Sequence, residues 1–108
     1  MAWQRVCGVD DLWEGDMQEF QVAGGELLLL HVEGGEFRAI PVYCPHQKQR
    51  LAKGLLEGRV LTCHAHLWQF DVVTGRGINP DDAVLEGYAL KVEGEEVFVD
   101  LEQHRAPA

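Results

Sequence analysis

The sequence predicts an all-β protein: an antiparallel sandwich or barrel body with a small β insert. Three observations predict it. Short apolar or alternating segments are separated by glycines, no long 3.6-residue hydrophobic period appears, and residues 43–82 replace strands with turn residues and potential metal ligands.

Taken in order, the stretch around Cys7 reads as a strand, with the thiol as a small buried apolar group. Residues 9–14 are the one briefly helical stretch, with Asp10 or Asp11 as its cap. Residues 17–23 alternate, with Phe20 and Val22 on one side and Met17, Glu19 and Gln21 on the other. Gly24-Gly25 turns the chain into the apolar run 26–32, and Gly34-Gly35 turns it again into the alternating segment 36–42. Glycine pairs between such segments are hairpin signals, because glycine adopts positive φ without steric cost. Residues 88–93 and 96–101 pair across Gly94-Glu95, and residues 103–108 read as a frayed tail that includes His104. His31 is expected to point out of its strand. The organisation is one domain, 1–108, with a body of 1–42 and 83–108 and an insert of 43–82.

The 108 residues carry a net charge of -9. That argues against nucleic acid, whose phosphates require lysine and arginine. The charge is uneven. Residues 43–82 hold Lys48, Arg50, Lys53, Arg59 and Arg76 against Glu57, Asp71, Asp81 and Asp82, one positive charge in excess, so the remainder holds -10. Solubility and a docking surface of mixed charge are both consistent with this pattern. No apolar run approaches the roughly 20 residues of a membrane helix. The opening Met1-Ala2-Trp3-Gln4-Arg5 lacks the layout of a secretory signal, so a cytoplasmic protein without a membrane association is expected. Three cysteines, Cys7, Cys44 and Cys63, do not suggest a disulfide framework.

The chemistry concentrates in two clusters. Cys44-Pro45-His46 is followed by Cys63-His64-Ala65-His66, a C-x-H-x16-C-x2-H pattern. Each segment offers one thiolate and one imidazole. The residues between them, with Gly54 and Gly58, can form a hairpin that brings both segments to one tip. This suits a [2Fe–2S] pair with thiolates on one iron and imidazoles on the other, a ligation that lifts the potential to roughly -150 to +300 mV. A Cys₂His₂ zinc site remains the alternative, although zinc spacing ordinarily pairs like ligands within each segment. A catalytic Cys–His pair would leave one cysteine and one histidine unexplained. His64 is the non-ligand, too close to Cys63 to share the site. Pro45 and Pro80 shape loops, and Trp68 is a packing residue or a partner contact.

The segments Cys44-Pro45-His46-Gln47, Thr62-Cys63-His64-Ala65-His66-Leu67-Trp68-Gln69-Phe70-Asp71 and Thr74-Gly75-Arg76-Gly77-Ile78-Asn79-Pro80-Asp81-Asp82 resemble the Rieske ferredoxins of bacterial multicomponent diiron monooxygenases, of the toluene and o-xylene type. The resemblance extends over nearly the whole chain. It implies a Rieske fold and a [2Fe–2S] cluster on Cys44, His46, Cys63 and His66. It also implies one-electron transfer from an NADH-dependent flavoprotein reductase to a diiron hydroxylase that oxidises an aromatic hydrocarbon. The chain would be a monomeric component of that system, not an enzyme by itself. The runner-up roles are the ferredoxin of an aromatic-ring dioxygenase and the small Rieske subunit of a nitrite reductase; a zinc-stabilised binding module is more distant. Relative to high-potential respiratory Rieske proteins, Gln49 stands where a disulfide cysteine would, and Trp68 and Phe70 replace the serine and tyrosine that hydrogen-bond the cluster. Fewer hydroxyl donors imply a potential at the low end of the Rieske range. The expected docking tip comprises Pro45, Gln47, Lys48, Ala65, Leu67 and Trp68, with Lys48 and Arg50 as its positive charges.

Overall fold

The structure is a computed structural model. It describes residues 3–22, 25–43, 50–63, 68–79, 85 and 87–105. Among the described residues, ten strands form two antiparallel sheets. The larger sheet contains β1 (Gln4–Gly8), β2 (Met17–Val22), β3 (Gly25–His31), β4 (Phe37–Ile40), β9 (Gly87–Glu93) and β10 (Glu96–Arg105), in the order β1-β10-β9-β4-β3-β2. Its edge strands β1 and β2 approach each other, so the sheet is nearly a closed barrel. The smaller sheet runs β5 (Leu55–Glu57), β6 (Val60–Thr62), β7 (Gln69–Asp71) and β8 (Arg76–Asn79) in sequence order. The predicted all-β class is therefore the observed one.

The apolar run in β3 explains how the sheets join. Leu27, Leu28, Leu29 and Leu30 are all fully buried. Alternation sends Leu27 and Leu29 into the barrel interior with Cys7, Phe37, Val97 and Val99. Leu28 and Leu30 face the other way, onto Leu51, Leu61, Cys63 and Phe70 of the insert. A strand covered on both faces needs a continuous apolar run rather than an alternating one. The pairing of Leu28 with Ile40 and of Leu29 with Ala39 carries the same division into β4.

Two local expectations change. The helical stretch is a single 3-10 turn at Val9–Asp11 whose N-cap is Gly8, not Asp10 or Asp11; Asp11 instead accepts the Gly8 N–H at 2.8 Å. Residues 103–105 are not frayed. They continue β10, with His104 opposite Tyr88 and Arg105 opposite Gly87. A register shift after Asp100 makes this possible, and the Glu102 N–H bonds the buried Asp100 carboxylate at 2.9 Å.

Candidate metal centre

Three of the four predicted ligands, Cys44, His46 and His66, lie outside the described residues, as do His64, Pro45, Gln47, Lys48, Ala65 and Leu67. The anchors of both segments are described, and they converge. Tyr43 and Arg50 form an antiparallel bridge across the first segment, reinforced by the Leu51 N–H donating to the Val42 carbonyl at 2.9 Å. The Cys63 N–H donates to the Trp68 carbonyl at 2.6 Å across the second. The chain leaving Arg50 makes a 3-10 turn at Leu51–Lys53 and enters β5, where Leu55 pairs with Thr62, the residue before Cys63. Thr62 in turn pairs with Gln69, just after Trp68.

Gly54 makes this convergence possible. A Cβ there would lie 2.1 Å from the Thr62 carbonyl oxygen and 3.2 Å from that of Leu51. Sequence reading placed Gly54 among the turn-forming residues of the hairpin. Its φ of -83° is ordinary, so close backbone approach is the reason for glycine. The hairpin turn itself belongs to Gly58, with φ +60°.

Cys63 is 0% exposed, packed with Leu51, Leu61 and Phe70 against the outer face of β3. A thiolate is costly in such surroundings unless a metal neutralises it. The surroundings therefore fit a coordinated cysteine, and the converging anchors fit two segments sharing one group. Trp68 is half-buried, its ring 6.4 Å from that of Phe70, and it packs on the same core. Among the described residues, no group of three or more His, Cys, Asp or Glu side chains is placed to hold a metal.

The remaining candidates fall elsewhere. Cys7 is buried in the barrel, and burial pushes its thiol up from the ordinary value. His31 does not point outward. Its ring stacks on Phe37 with centroids 4.0 Å apart, and Nδ1 donates to the Leu12 carbonyl at 2.7 Å.

Sequence reading missed two polar clusters. Arg50 pairs through one terminal nitrogen with Glu19 at 2.8 Å and Glu26 at 3.8 Å, and its guanidinium lies 5.3 Å from the Tyr43 ring centre. It was expected as a docking charge; the structure engages it with the body. No local pattern reveals this pair, because Glu19 is 31 residues away. The second cluster is at the opposite end of the hairpin. Asp71 meets the Arg59 Nε at 2.9 Å and accepts the N–H groups of Val73 and Thr74. Burial alone would raise the Asp71 carboxyl, but Arg59 and the two N–H donors overcome it and hold it below the usual range. Here the D-x-x-T-G turn was a usable signal.

This architecture and its paired cysteine–histidine segments define a class. The chain belongs to the Rieske [2Fe–2S] domain family, whose model matches residues 2–89. It carries a Rieske-type [2Fe–2S] cluster and acts as an electron carrier, not as a catalyst by itself. More particularly, it is 49% identical over 98 residues to the ferredoxin component of the alkene monooxygenase system of Xanthobacter autotrophicus, covering 90% of this chain and 80% of that protein. It is 38% identical over 100 residues to the ferredoxin component of the naphthalene 1,2-dioxygenase system of Pseudomonas aeruginosa, covering 92% and 95%. Among solved structures, the ferredoxin of carbazole 1,9a-dioxygenase from Nocardioides aromaticivorans superposes with a TM-score of 0.80 at 28% identity, over the whole of both chains. The complex of reduced oxygenase and oxidized ferredoxin in carbazole 1,9a-dioxygenase matches with a TM-score of 0.78 at 29% identity, covering 90% of this chain and 91% of that chain. Among the described residues, no helix is long and apolar enough to cross a membrane.

Proposed function

We propose that this chain is a cytoplasmic, monomeric Rieske ferredoxin in which Cys44, His46, Cys63 and His66 hold the cluster. It takes single electrons from an NADH-dependent flavoprotein reductase and delivers them to the diiron hydroxylase of a multicomponent monooxygenase. The hydrocarbon is aromatic in the systems its motifs resemble, whereas the 49%-identical relative is named for an alkene. The observation that carries the reading is the convergence of the two segment anchors at Gly54 and Thr62, beside the fully buried Cys63. When bound, the cluster supplies reversible one-electron chemistry. The protein's part is to bury Cys63, to close each ligand segment at its base, and to join the insert to the body through Leu28 and Leu30. The domain is proposed to run 1–108, with body 1–42 and 83–108 and insert 43–82.

The docking face is proposed around Pro45, Gln47, Lys48, Ala65, Leu67 and Trp68, with Lys48 as its positive charge now that Arg50 is paired. A second reading, the ferredoxin of an aromatic-ring dioxygenase, is favoured by the naphthalene and carbazole system relatives; the higher identity to the monooxygenase component weighs against it. The ligand assignment is tested by iron and sulfide content and the low-temperature EPR spectrum of the reduced protein. Cys44→Ser, His46→Ala, Cys63→Ser and His66→Ala should each lose the cluster or alter its spectrum, and His64→Ala should retain it. A normal spectrum in His66→Ala with loss in His64→Ala would reverse the assignment.

A further inference from the structure

Arg50 closes a strand bridge with Tyr43 and is also tied to β2 and β3. It pairs in the bridge with Tyr43, next to Cys44 in the chain, and its guanidinium approaches the Tyr43 ring. Through one nitrogen it reaches Glu19 on β2 and Glu26 on β3. These two carboxylates sit on neighbouring strands, with Glu26 opposite Gln21 and Glu19 opposite Leu28. The Glu19 hydrogen bond and charge push the Arg50 guanidinium up from its ordinary value. On the other side of Arg50, the 3-10 turn begins with the fully buried Leu51. Arg50 thus stands where the first ligand segment, the insert and the body meet.

We propose that Arg50 is a positioning residue for the cluster: it ties the base of the first ligand segment to β2 and β3 and compensates the charge of Glu19 and Glu26 beside it. The proposal rests on the ligand assignment above. Two effects follow from its two parts. Loss of the tie lets the base of the segment open, which exposes bound iron to chelators. Loss of the compensation leaves two carboxylates uncancelled at the base of the first ligand segment, which disfavours the more negative reduced state.

The test uses the full-length holoprotein and compares Arg50→Gln with Glu19→Gln. Each removes the same ion pair, but they change the local charge in opposite directions. Measured by bleaching of the cluster absorbance in excess chelator, both should lose the cluster several-fold faster than the parent. Arg50→Lys should recover part of the difference. The midpoint potential should fall in Arg50→Gln and rise in Glu19→Gln, with both shifts shrinking as salt increases. Loosening alone would move both potentials the same way. A parental rate of cluster loss in Arg50→Gln, or potentials moving together, would overturn the proposal. If Arg50→Gln does not accumulate as holoprotein, Glu19→Gln decides, and a parental rate and potential there would overturn it. Cys44→Ser serves as the reference: if it keeps the parental spectrum, the ligand assignment fails instead.

Discussion

The barrel and the insert are built from similar residues but bury them differently. The barrel encloses its own core: Leu27, Leu29, Phe37, Val97 and Val99 are covered by strands that nearly close on themselves. The insert has four strands of three or four residues and cannot close. Its Leu61 and Phe70 are fully buried only because Leu28, Leu30, Val32 and Ile40 of the body complete the layer. So short a sheet is marginal alone. The insert therefore takes its stability from the barrel's outer face.

That contrast is open to direct attack. The largest effects should come from β3, where neighbouring leucines face different layers. Leu28→Ala and Leu29→Ala should each cost about 2–5 kcal/mol. Leu28→Ala should also accelerate cluster loss well below the melting transition, whereas Leu29→Ala should lower the melting temperature with little change in cluster loss when both are compared under native conditions. Equal effects on both properties would mean that the two layers do not behave separately.

A smaller effect is expected at Gly54. Alanine there forces the Thr62 carbonyl to move, because the obstacle is backbone. Overpacking of this kind costs about 1–3 kcal/mol. The displacement acts on the residue before Cys63, so cluster content after expression should fall more than global stability does, read from iron per chain against chemical denaturation. Normal iron content in Gly54→Ala would show that the two segment bases tolerate separation.

The smallest effect lies at the far end of the hairpin. Asp71→Asn removes the charge that meets Arg59 and weakens the bonds to Val73 and Thr74, a loss of about 1–2 kcal/mol. The folded carboxyl titrates below its ordinary value of 3.8. Its contribution is therefore intact above that value and is lost as pH falls through the lower, folded value. The difference in stability between parent and Asp71→Asn should be constant near neutrality and narrow only in acid. A difference that instead grew on acidification would contradict the assigned direction.

Much of this was legible in the sequence, for identifiable reasons. Glycine-linked alternating segments located β2, β3, β4, β9 and β10, since those signals are local. The paired C-x-H and C-x2-H segments pointed to the family, since soft ligands so spaced have few other uses. What escaped was non-local. Glu19 and Arg50 meet only because the barrel edge turns toward the insert. Gly54 reads as a turn residue until the Thr62 backbone is seen against it. The apolar run of β3 indicates a strand, but only the two packed layers show why it is apolar on both faces. The extension of β10 to Arg105 depends on a register shift at Asp100, which a polar C-terminal stretch does not announce.

On the proposed ligation, this chain carries one electron at a time on a cluster held by mixed cysteine and histidine ligands. A reductive titration with EPR spin counting tests it most directly, performed on the parent, His66→Ala and His64→Ala holoproteins. The parent should take up a single electron per chain, with one Rieske-type spin per two irons. His64→Ala should match it, and His66→Ala should lose or change the signal. Stoichiometric zinc with no reducible iron in the parent, or a parental signal in His66→Ala, would contradict it.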